Sequence, residues 1–227
     1  MMIGKHYTLA FVFILALIMV ATTAIAQQGQ GSDPGNGVGV GSGSGAGQGN
    51  GSDGILVGPA IGTTIADFKL PDTKGEKHSL SSLKGKNGTV LIFVSVQCPV
   101  SNAYNERMEK LAEDYKARGV NVIGINANAT ESADAVKHHA AEHNLTFPIL
   151  KDNGNKVADL LGAQNTPEAF FLDANNKLVY RGRIDNSRSG STISSNDLRD
   201  AIDAVLAGKP VAKTYVRAFG CTIKRAS

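Results

Sequence analysis

The amino-acid sequence predicts an α/β domain in which a central mixed sheet is flanked by helices and preceded by an N-terminal hairpin. Continuous apolar runs at residues 89–95 and 120–125 are typical of strands buried on both faces of a sheet. Segments with helical periodicity alternate with these runs, which is the order expected of an α/β layer structure. Two late strands, at 169–173 and 178–183, flank a turn-rich connection and indicate a hairpin.

The remaining elements follow from the same signals. Residues 66–70 and 76–80 surround a turn and predict the N-terminal hairpin, and 147–150 predicts a short strand. Further helices are predicted at 131–144, at 156–161 before Gly162, and at 197–207 after a capping Asn196. The first helix is predicted from one apolar stripe with a period near 3.6, formed by Val100, Tyr104, Met108, Leu111 and Tyr115.

The first 26 residues are predicted to be a signal peptide. Lys5 gives a positive start, residues 9–21 are almost wholly apolar, and residues 24–26 form an Ala-Ile-Ala cleavage signal. The apolar run is shorter than the roughly 20 residues that a membrane span needs. We therefore expect secretion across the inner membrane into the periplasm, with no membrane span after cleavage. An uncleaved N-terminal anchor is the alternative.

Composition divides the rest of the chain. Residues 27–58 are expected to be a flexible linker, since 12 of the 26 glycines fall between positions 29 and 54 and few apolar side chains accompany them. Residues 59–208 suit one globular domain with a full hydrophobic core, and 209–227 form a basic tail without acidic residues that carries Cys221. The net charge of +3 is too mild for the dense basic face of a nucleic-acid-binding protein.

The two cysteines, Cys98 and Cys221, are too far apart in sequence to form the close ligand pairs of a zinc site. We expect no metal and no cofactor, and we interpret His138, His139 and His143 as a solvated helix face. An oxidising compartment would allow the two thiols to pair.

Cys98 lies where a buried strand ends and a helix begins, with Pro99 in a favoured first helical position. Backbone N–H groups and the helix dipole at such a place favour a thiolate, so Cys98 is the candidate nucleophile. A buried, inert cysteine is the alternative. The second candidate element is Thr166-Pro167, directly before a strand, where base rates alone favour an ordinary trans proline.

Together these residues resemble the thioredoxin-fold redoxins, which include the alkyl hydroperoxide reductase/thiol-specific antioxidant group and the periplasmic thiol-disulfide oxidoreductases. The resemblance covers roughly residues 61–206. It rests on blocks at 65–72, Gly75, 83–86, 90–95, Cys98-Pro99, 166–173 and 180–183. It implies a thioredoxin-like fold in which Cys98 is the nucleophile, Pro167 is a cis proline facing it, and Thr166, Pro167 and Pro99 contact a thiol substrate.

The sequence departs from that family in its catalytic motif. Ser101 stands where the oxidoreductases carry the second cysteine of C-x-x-C, and Gln97 stands where an aromatic residue is usual. Ser95 fits the hydroxyl residue that peroxide-reducing members place three positions before their cysteine. The arginine that those members need is missing from its usual place, which leaves Arg181 and Arg183 as the candidates to replace it.

Cys221 offers a possible replacement for the missing thiol. The 14 residues from Ala207 to Cys221 could span up to about 46–50 Å when extended, enough to reach Cys98. A resolving thiol and a structural or intermolecular bridge remain equal alternatives for Cys221. Apolar side chains at Val216, Phe219 and Ile223 indicate that the tail docks against some surface, which the sequence does not identify.

The sequence therefore predicts an exported thiol-dependent oxidoreductase with Cys98, Cys221 and Ser95 as catalytic residues. Its substrate would be a peroxide or a protein disulfide, and an unidentified thiol reductant would recycle it. The rival hypothesis is a non-catalytic redoxin-fold binding module in which Cys98–Cys221 is a permanent staple. Copper delivery is a weaker alternative, because the expected pair of nearby thiols with a histidine is absent.

Overall fold

A computed structural model describes residues 58–226 of the chain. The predicted signal peptide, and all but the last residue of the predicted linker, lie outside the described residues. None of the helices in the described part combines the length and the apolar character that a membrane span requires.

The described residues contain ten strands and six helices, numbered in chain order. The strands are β1 Lys69–Pro71, β2 Lys77–Ser79, β3 Gly88–Phe93, β4 Val120–Asn126, β5 Ile149–Lys151, β6 Asn165–Thr166, β7 Glu168–Asp173, β8 Leu178–Gly182, β9 Tyr215–Val216 and β10 Cys221–Thr222. The helices are α1 Leu80–Leu83, α2 Pro99–Asn102, α3 Asn105–Lys116, α4 Ala133–Glu142, α5 Lys156–Leu161 and α6 Asp197–Leu206.

Six of the strands form one mixed sheet in the order β5-β4-β3-β7-β8-β9. Strand β3 is parallel to β4 and antiparallel to β7, and β7 forms a hairpin with β8. Strands β1 and β2 pair as a separate N-terminal hairpin, with Lys69 opposite Ser79. The predicted fold class, a central mixed sheet with flanking helices and an N-terminal hairpin, is confirmed.

Strand β3 lies at the centre of the core, and all six of its residues are buried. Its side chains alternate between the two faces of the sheet. Val90 and Ile92 join one apolar cluster, with helices α3 and α6, whereas Leu91 and Phe93 join the other, with α5. A strand enclosed in this way holds its carboxyl end, and the loop to Cys98, in a fixed position.

Two helices differ from their predicted extents. The segment that carries the apolar stripe after Cys98 forms two helices, α2 and α3, instead of one. They are separated where the backbone N–H of Tyr104 donates to the carbonyl oxygen of Ser101, three residues earlier. Helix α4 begins at Ala133 instead of residue 131, because the hydroxyl of Ser132 accepts the N–H of Ala135 and caps the helix there. Glu131 is thereby left outside the helix.

The tail after α6 is ordered along two strand edges. Strand β9 pairs in parallel with β8, and β10 pairs antiparallel with β6, which places Cys221 opposite Thr166. Where β9 pairs with β8, a Cβ on Gly182 would lie 1.9 Å from the carbonyl oxygen of Val216. Only glycine at position 182 therefore allows the backbone of the tail to approach this closely. The tail, which was expected to dock against an unidentified surface, thus docks on the protein itself, and neither of its short strands was predicted.

Candidate active site

Cys98 lies at the carboxyl end of β3, where it is the N-cap of α2 and Pro99 begins the helix. The N–H of Ser101 donates to its Sγ at 3.3 Å. Ser101, which takes the place of a second C-x-x-C thiol, is buried, and its hydroxyl accepts the N–H of Ser95 at 3.1 Å. Ser101 therefore contributes a backbone donor that stabilises negative charge on Cys98 and no sulfur chemistry of its own.

The partner sulfur belongs to the tail. Cys98 and Cys221 form a disulfide, with their Cα atoms 5.8 Å apart. Thr166-Pro167 is a cis peptide bond, and the carbonyl oxygen of Thr166 lies 3.2 Å from the Sγ of Cys98. The structure thus brings together the four residues Cys98, Cys221, Thr166 and Pro167. Pro99, the first residue of helix α2, adjoins them.

The two sulfurs differ in their access to solvent. Cys98 is only 2% exposed, whereas Cys221 is half-buried. Strand β10 lies over Cys98 on the side of β6, so the tail itself covers the predicted nucleophile. A reagent that approaches the oxidised protein therefore meets Cys221 first.

A buried carboxylate lies under the cysteine loop. Glu131 is 3% exposed, and its carboxylate accepts hydrogen bonds from the backbone N–H of Val96 at 3.0 Å and of Gln97 at 3.1 Å. The side-chain amides of Asn126 and Asn128 donate to it as well. Glu131 thus ties the loop after β4 to the loop that carries Cys98.

Ser95 links this carboxylate to the cysteine. Its hydroxyl donates to Glu131 at 2.6 Å and accepts the backbone N–H of Cys98 at 3.1 Å. The structure therefore places Ser95 directly beside the cysteine loop. Because one hydroxyl group has one proton, and this proton is directed to Glu131, Ser95 positions the cysteine loop in this conformation and does not donate to the sulfur.

Burial by itself raises the pKa of Glu131, but the hydrogen bonds from Ser95, Asn126 and the loop N–H groups outweigh it and hold the pKa below the ordinary value. The neighbouring Lys151 has a lowered pKa because it is buried, although Glu131 and Asp152 partly offset this effect. Its ammonium group donates to Asn126 at 2.8 Å and to the carbonyl of Asn128 at 2.7 Å. A charged, hydrogen-bonded network therefore supports the cysteine loop.

Glu131 and Lys151 were missed by the sequence analysis, which assigned residue 131 to the start of a helix. One signal was present. Asn126 ends the buried strand β4, adjacent to the cysteine strand, and Asn128 and Glu131 follow it, where parallel strands end at the same edge of a sheet. Polar residues concentrated at that edge indicate a functional loop.

The two candidate arginines do not contact the cysteine. Arg181 forms an ion pair with Glu168 at 3.0 Å, and Arg183 forms one with Asp197 at 2.7 Å. Among the described residues, the N–H of Ser101 donates to the Sγ of Cys98, and the carbonyl oxygen of Thr166 lies 3.2 Å from the same atom. Neither candidate guanidinium group therefore lies at the sulfur of Cys98 in the disulfide-bonded protein.

One cluster in the described part has metal-ligating side chains, at the turn of the N-terminal hairpin. Ligand atoms of Asp72, Glu76 and His78 lie within 4.8 Å of one another. Asp72 already accepts the N–H groups of Lys74 and Glu76 and contacts His78, as expected for a turn-stabilising aspartate. This cluster stabilises the hairpin and has no part in the cysteine site.

The fold and the site define a class: a thioredoxin-fold protein whose candidate nucleophilic cysteine lies at the end of the central strand, near a cis proline. Residues 61–181 match the model of the AhpC/TSA family, and the chain belongs to that family. The predicted family resemblance, and with it the class of thiol-dependent oxidoreductases, is confirmed.

Individual relatives agree with this assignment. The chain is 34% identical over 118 residues to the thiol-disulfide oxidoreductase ResA of Halalkalibacterium halodurans, a match that covers 52% of this chain and 65% of that protein. A hypothetical protein from Sinorhizobium meliloti 1021 has a similar solved structure, with 36% identity, a TM-score of 0.70, and coverage of 74% of this chain and 96% of that one. A putative thiol:disulfide interchange protein DsbE from Chlorobium tepidum shares the fold, at 22% identity and a TM-score of 0.54 over 65% of this chain and 98% of that one.

Proposed function

We propose that the protein is an exported thiol-disulfide oxidoreductase in which Cys98 and Cys221 form the redox pair. The observation that carries the proposal is the disulfide between them at the Thr166-Pro167 face. It joins the candidate nucleophile to a second thiol, which replaces the one that Ser101 lacks. Export rests on the sequence of residues 1–26, and a mature N-terminus directly after Ala26 would support it.

In the reduced protein, the thiolate of Cys98 attacks one sulfur of a substrate disulfide. The substrate's S–S bond breaks, its second sulfur leaves as a thiolate that solvent protonates, and Cys98 is left in a mixed disulfide. The thiolate of Cys221 then attacks the Sγ of Cys98 and releases the first substrate sulfur. Two electrons pass from the protein to the substrate, and a thiol reductant returns the Cys98–Cys221 disulfide to two thiols.

The surroundings of Cys98 favour this chemistry. The N–H of Ser101 donates to the sulfur and stabilises it both as an attacking thiolate and as a leaving group. The hydrogen bond from Cys98 N–H to Ser95, and from Ser95 to Glu131, holds the loop in place without adding a charge in direct contact with the sulfur. The partial exposure of Cys221 gives the reductant a sulfur to attack.

Peroxide reduction is the second candidate, favoured by Ser95 three positions before Cys98. The site offers less for that reaction, because the Ser95 proton is directed to Glu131 and both candidate arginines are held in ion pairs. A peroxidase needs donors directed at the oxygen on which charge develops. We therefore favour disulfide exchange.

The two functions predict different rates. We expect the reduced protein to be oxidised rapidly by glutathione disulfide, and by one equivalent of hydrogen peroxide only as slowly as an ordinary thiolate reacts. Thiol trapping followed by mass spectrometry of the Cys98 and Cys221 peptides measures both rates. Rapid sulfenic acid formation at Cys98 with peroxide, followed by the Cys98–Cys221 bridge, would instead assign the protein as a peroxidase.

A further inference from the structure

The tail residues 220–224 occupy the edge beside Cys98 as an extended strand held on both sides. On one side, Cys221 lies opposite Thr166, and the N–H of Ile223 donates to the carbonyl of Gln164 at 2.9 Å. On the other side, the N–H of Ala129 donates to the carbonyl of Lys224 at 2.8 Å. The backbone of the tail thus fills a slot between β6 and the loop after β4.

The slot has two strict requirements. A Cβ on Gly220 would lie 2.0 Å from the backbone carbonyl oxygen of Thr166, so the position before the cysteine admits only a residue without a side chain. Two positions after the cysteine, Ile223 is 2% exposed and packs in the apolar cluster that also contains Ile125 and Leu161. Thr222 between them is exposed and is not constrained.

Backbone hydrogen bonds of this kind can form equally well with a strand of this protein or with a strand of another polypeptide. In β-strand addition, backbone hydrogen bonds provide affinity, and pockets for alternate side chains provide specificity. The tail places its cysteine in contact with Cys98, at the position that a substrate cysteine must occupy in a mixed disulfide.

We propose that the tail is an intramolecular substitute for the substrate, and that the substrate is an extended polypeptide segment in which glycine precedes the reacting cysteine and an aliphatic residue follows two positions later. This proposal rests on the proposed disulfide exchange and specifies its substrate. The substrate strand and β10 compete for one slot.

Competition between the tail and the substrate strand for the slot sets the order of the reaction steps. Reduction of Cys98–Cys221 frees the tail to leave, and the substrate strand takes its place as Cys98 forms the mixed disulfide. When the thiolate of Cys221 attacks the Sγ of Cys98, the bond between Cys98 and the substrate breaks and the substrate sulfur leaves as a thiolate. The returning tail displaces the substrate strand, so release of the product and closure of the protein disulfide are one event.

Peptide disulfides test the proposed specificity on the reduced full chain. The reference peptide is Ala-Phe-Gly-Cys-Thr-Ile-Lys, joined through its cysteine to 2-nitro-5-thiobenzoate, and attack at the peptide sulfur releases the coloured thiol, which is followed by absorbance. Two further peptides carry Val in place of the glycine and Asp in place of the isoleucine, and a control peptide carries Ala in place of the threonine. We expect the second-order rate constant for release of the coloured thiol to fall by roughly 10–100-fold for the Val and Asp peptides, because each loses its fit to the slot, and to stay within about twofold for the control.

Protein variants test the competition. In Cys221→Ser, which cannot resolve the mixed disulfide, the added change Gly220→Val should expel the tail and speed trapping of the reference peptide. Trapping that is no faster in the double variant would contradict the competition.

Equal rates for all four peptides, or reaction with glutathione disulfide but with none of the peptides, would overturn the docking proposal and leave disulfide exchange intact. Failure to react with any peptide and with glutathione disulfide would overturn disulfide exchange itself, and the docking proposal with it.

Discussion

Replacing Cys98 by serine is expected to abolish disulfide exchange, whereas replacing Cys221 by serine should stop the reaction at a covalent complex. Cys98 is the sulfur that lies next to Thr166 and accepts the N–H of Ser101, and a serine hydroxyl at this position is not a nucleophile toward disulfides. Without Cys221, Cys98 still attacks, but no thiol of the protein releases the mixed disulfide. Mass spectrometry after mixing each reduced variant with glutathione disulfide distinguishes the two outcomes.

The two variants serve as controls for each other, since the sequence contains two cysteines, Cys98 and Cys221. A third variant, Lys137→Ala, changes an exposed residue of α4 and should react as the unmodified protein does. A covalent complex that forms on Cys221 in the Cys98→Ser variant, at the rate of the unmodified protein, would reverse the assigned roles.

The second large effect is expected for Glu131→Gln. The carboxylate accepts hydrogen bonds from Ser95, Val96 and Gln97. A hydrogen bond to a charged group contributes about 1.5–3 kcal/mol to the stability of a folded protein. A glutamine directs an NH₂ group at some of these donors, so we expect the free energy of unfolding to fall by about 2–4 kcal/mol. Denaturant unfolding of the oxidised protein at neutral pH measures the change.

The same substitution should alter the dependence of stability on pH. The pKa of Glu131 in the folded protein lies below the ordinary value of 4.5. The contribution of the ionised carboxylate to the free energy of unfolding is therefore fully present above pH 4.5. It is lost as the pH falls through the lowered pKa. The difference in unfolding free energy between the unmodified protein and Glu131→Gln should therefore shrink in acid.

Glu113→Gln is the matched control, because Glu113 is exposed on α3 and its replacement should change stability by no more than about 0.5 kcal/mol. Equal stability of the Glu131→Gln variant and this control at neutral pH would show that the buried network contributes little.

The sequence was sufficient to predict the elements that have strong local signals. Strand β3 is a continuous apolar run, and α5 has a helical segment followed by Gly162, which adopts a positive φ of 65°. Cys98 was placed correctly because a strand end followed by Pro99 is a local pattern. Such features depend on few residues that are close together along the chain.

The positions of Cys221 and Glu131 in the site depend on contacts between segments that are distant in the sequence. Strands β9 and β10 have two residues each, too few for a periodic pattern, and their positions are set by backbone pairing with β8 and β6. The sequence therefore left open whether Cys221 meets Cys98. Glu131 was assigned to the start of a helix, whereas its burial depends on how the loop after β4 approaches Ser95.

The central claim is that the Cys98–Cys221 disulfide is a working redox pair and not a permanent staple. The most direct test is its redox equilibrium with glutathione, measured by alkylating the free thiols after incubation in buffers of defined glutathione ratio. We expect complete interconversion between disulfide and dithiol, with a reduction potential above about −300 mV, the value below which structural disulfides typically lie. A disulfide that stays closed in fully reducing glutathione would contradict the claim and identify the bridge as a structural staple.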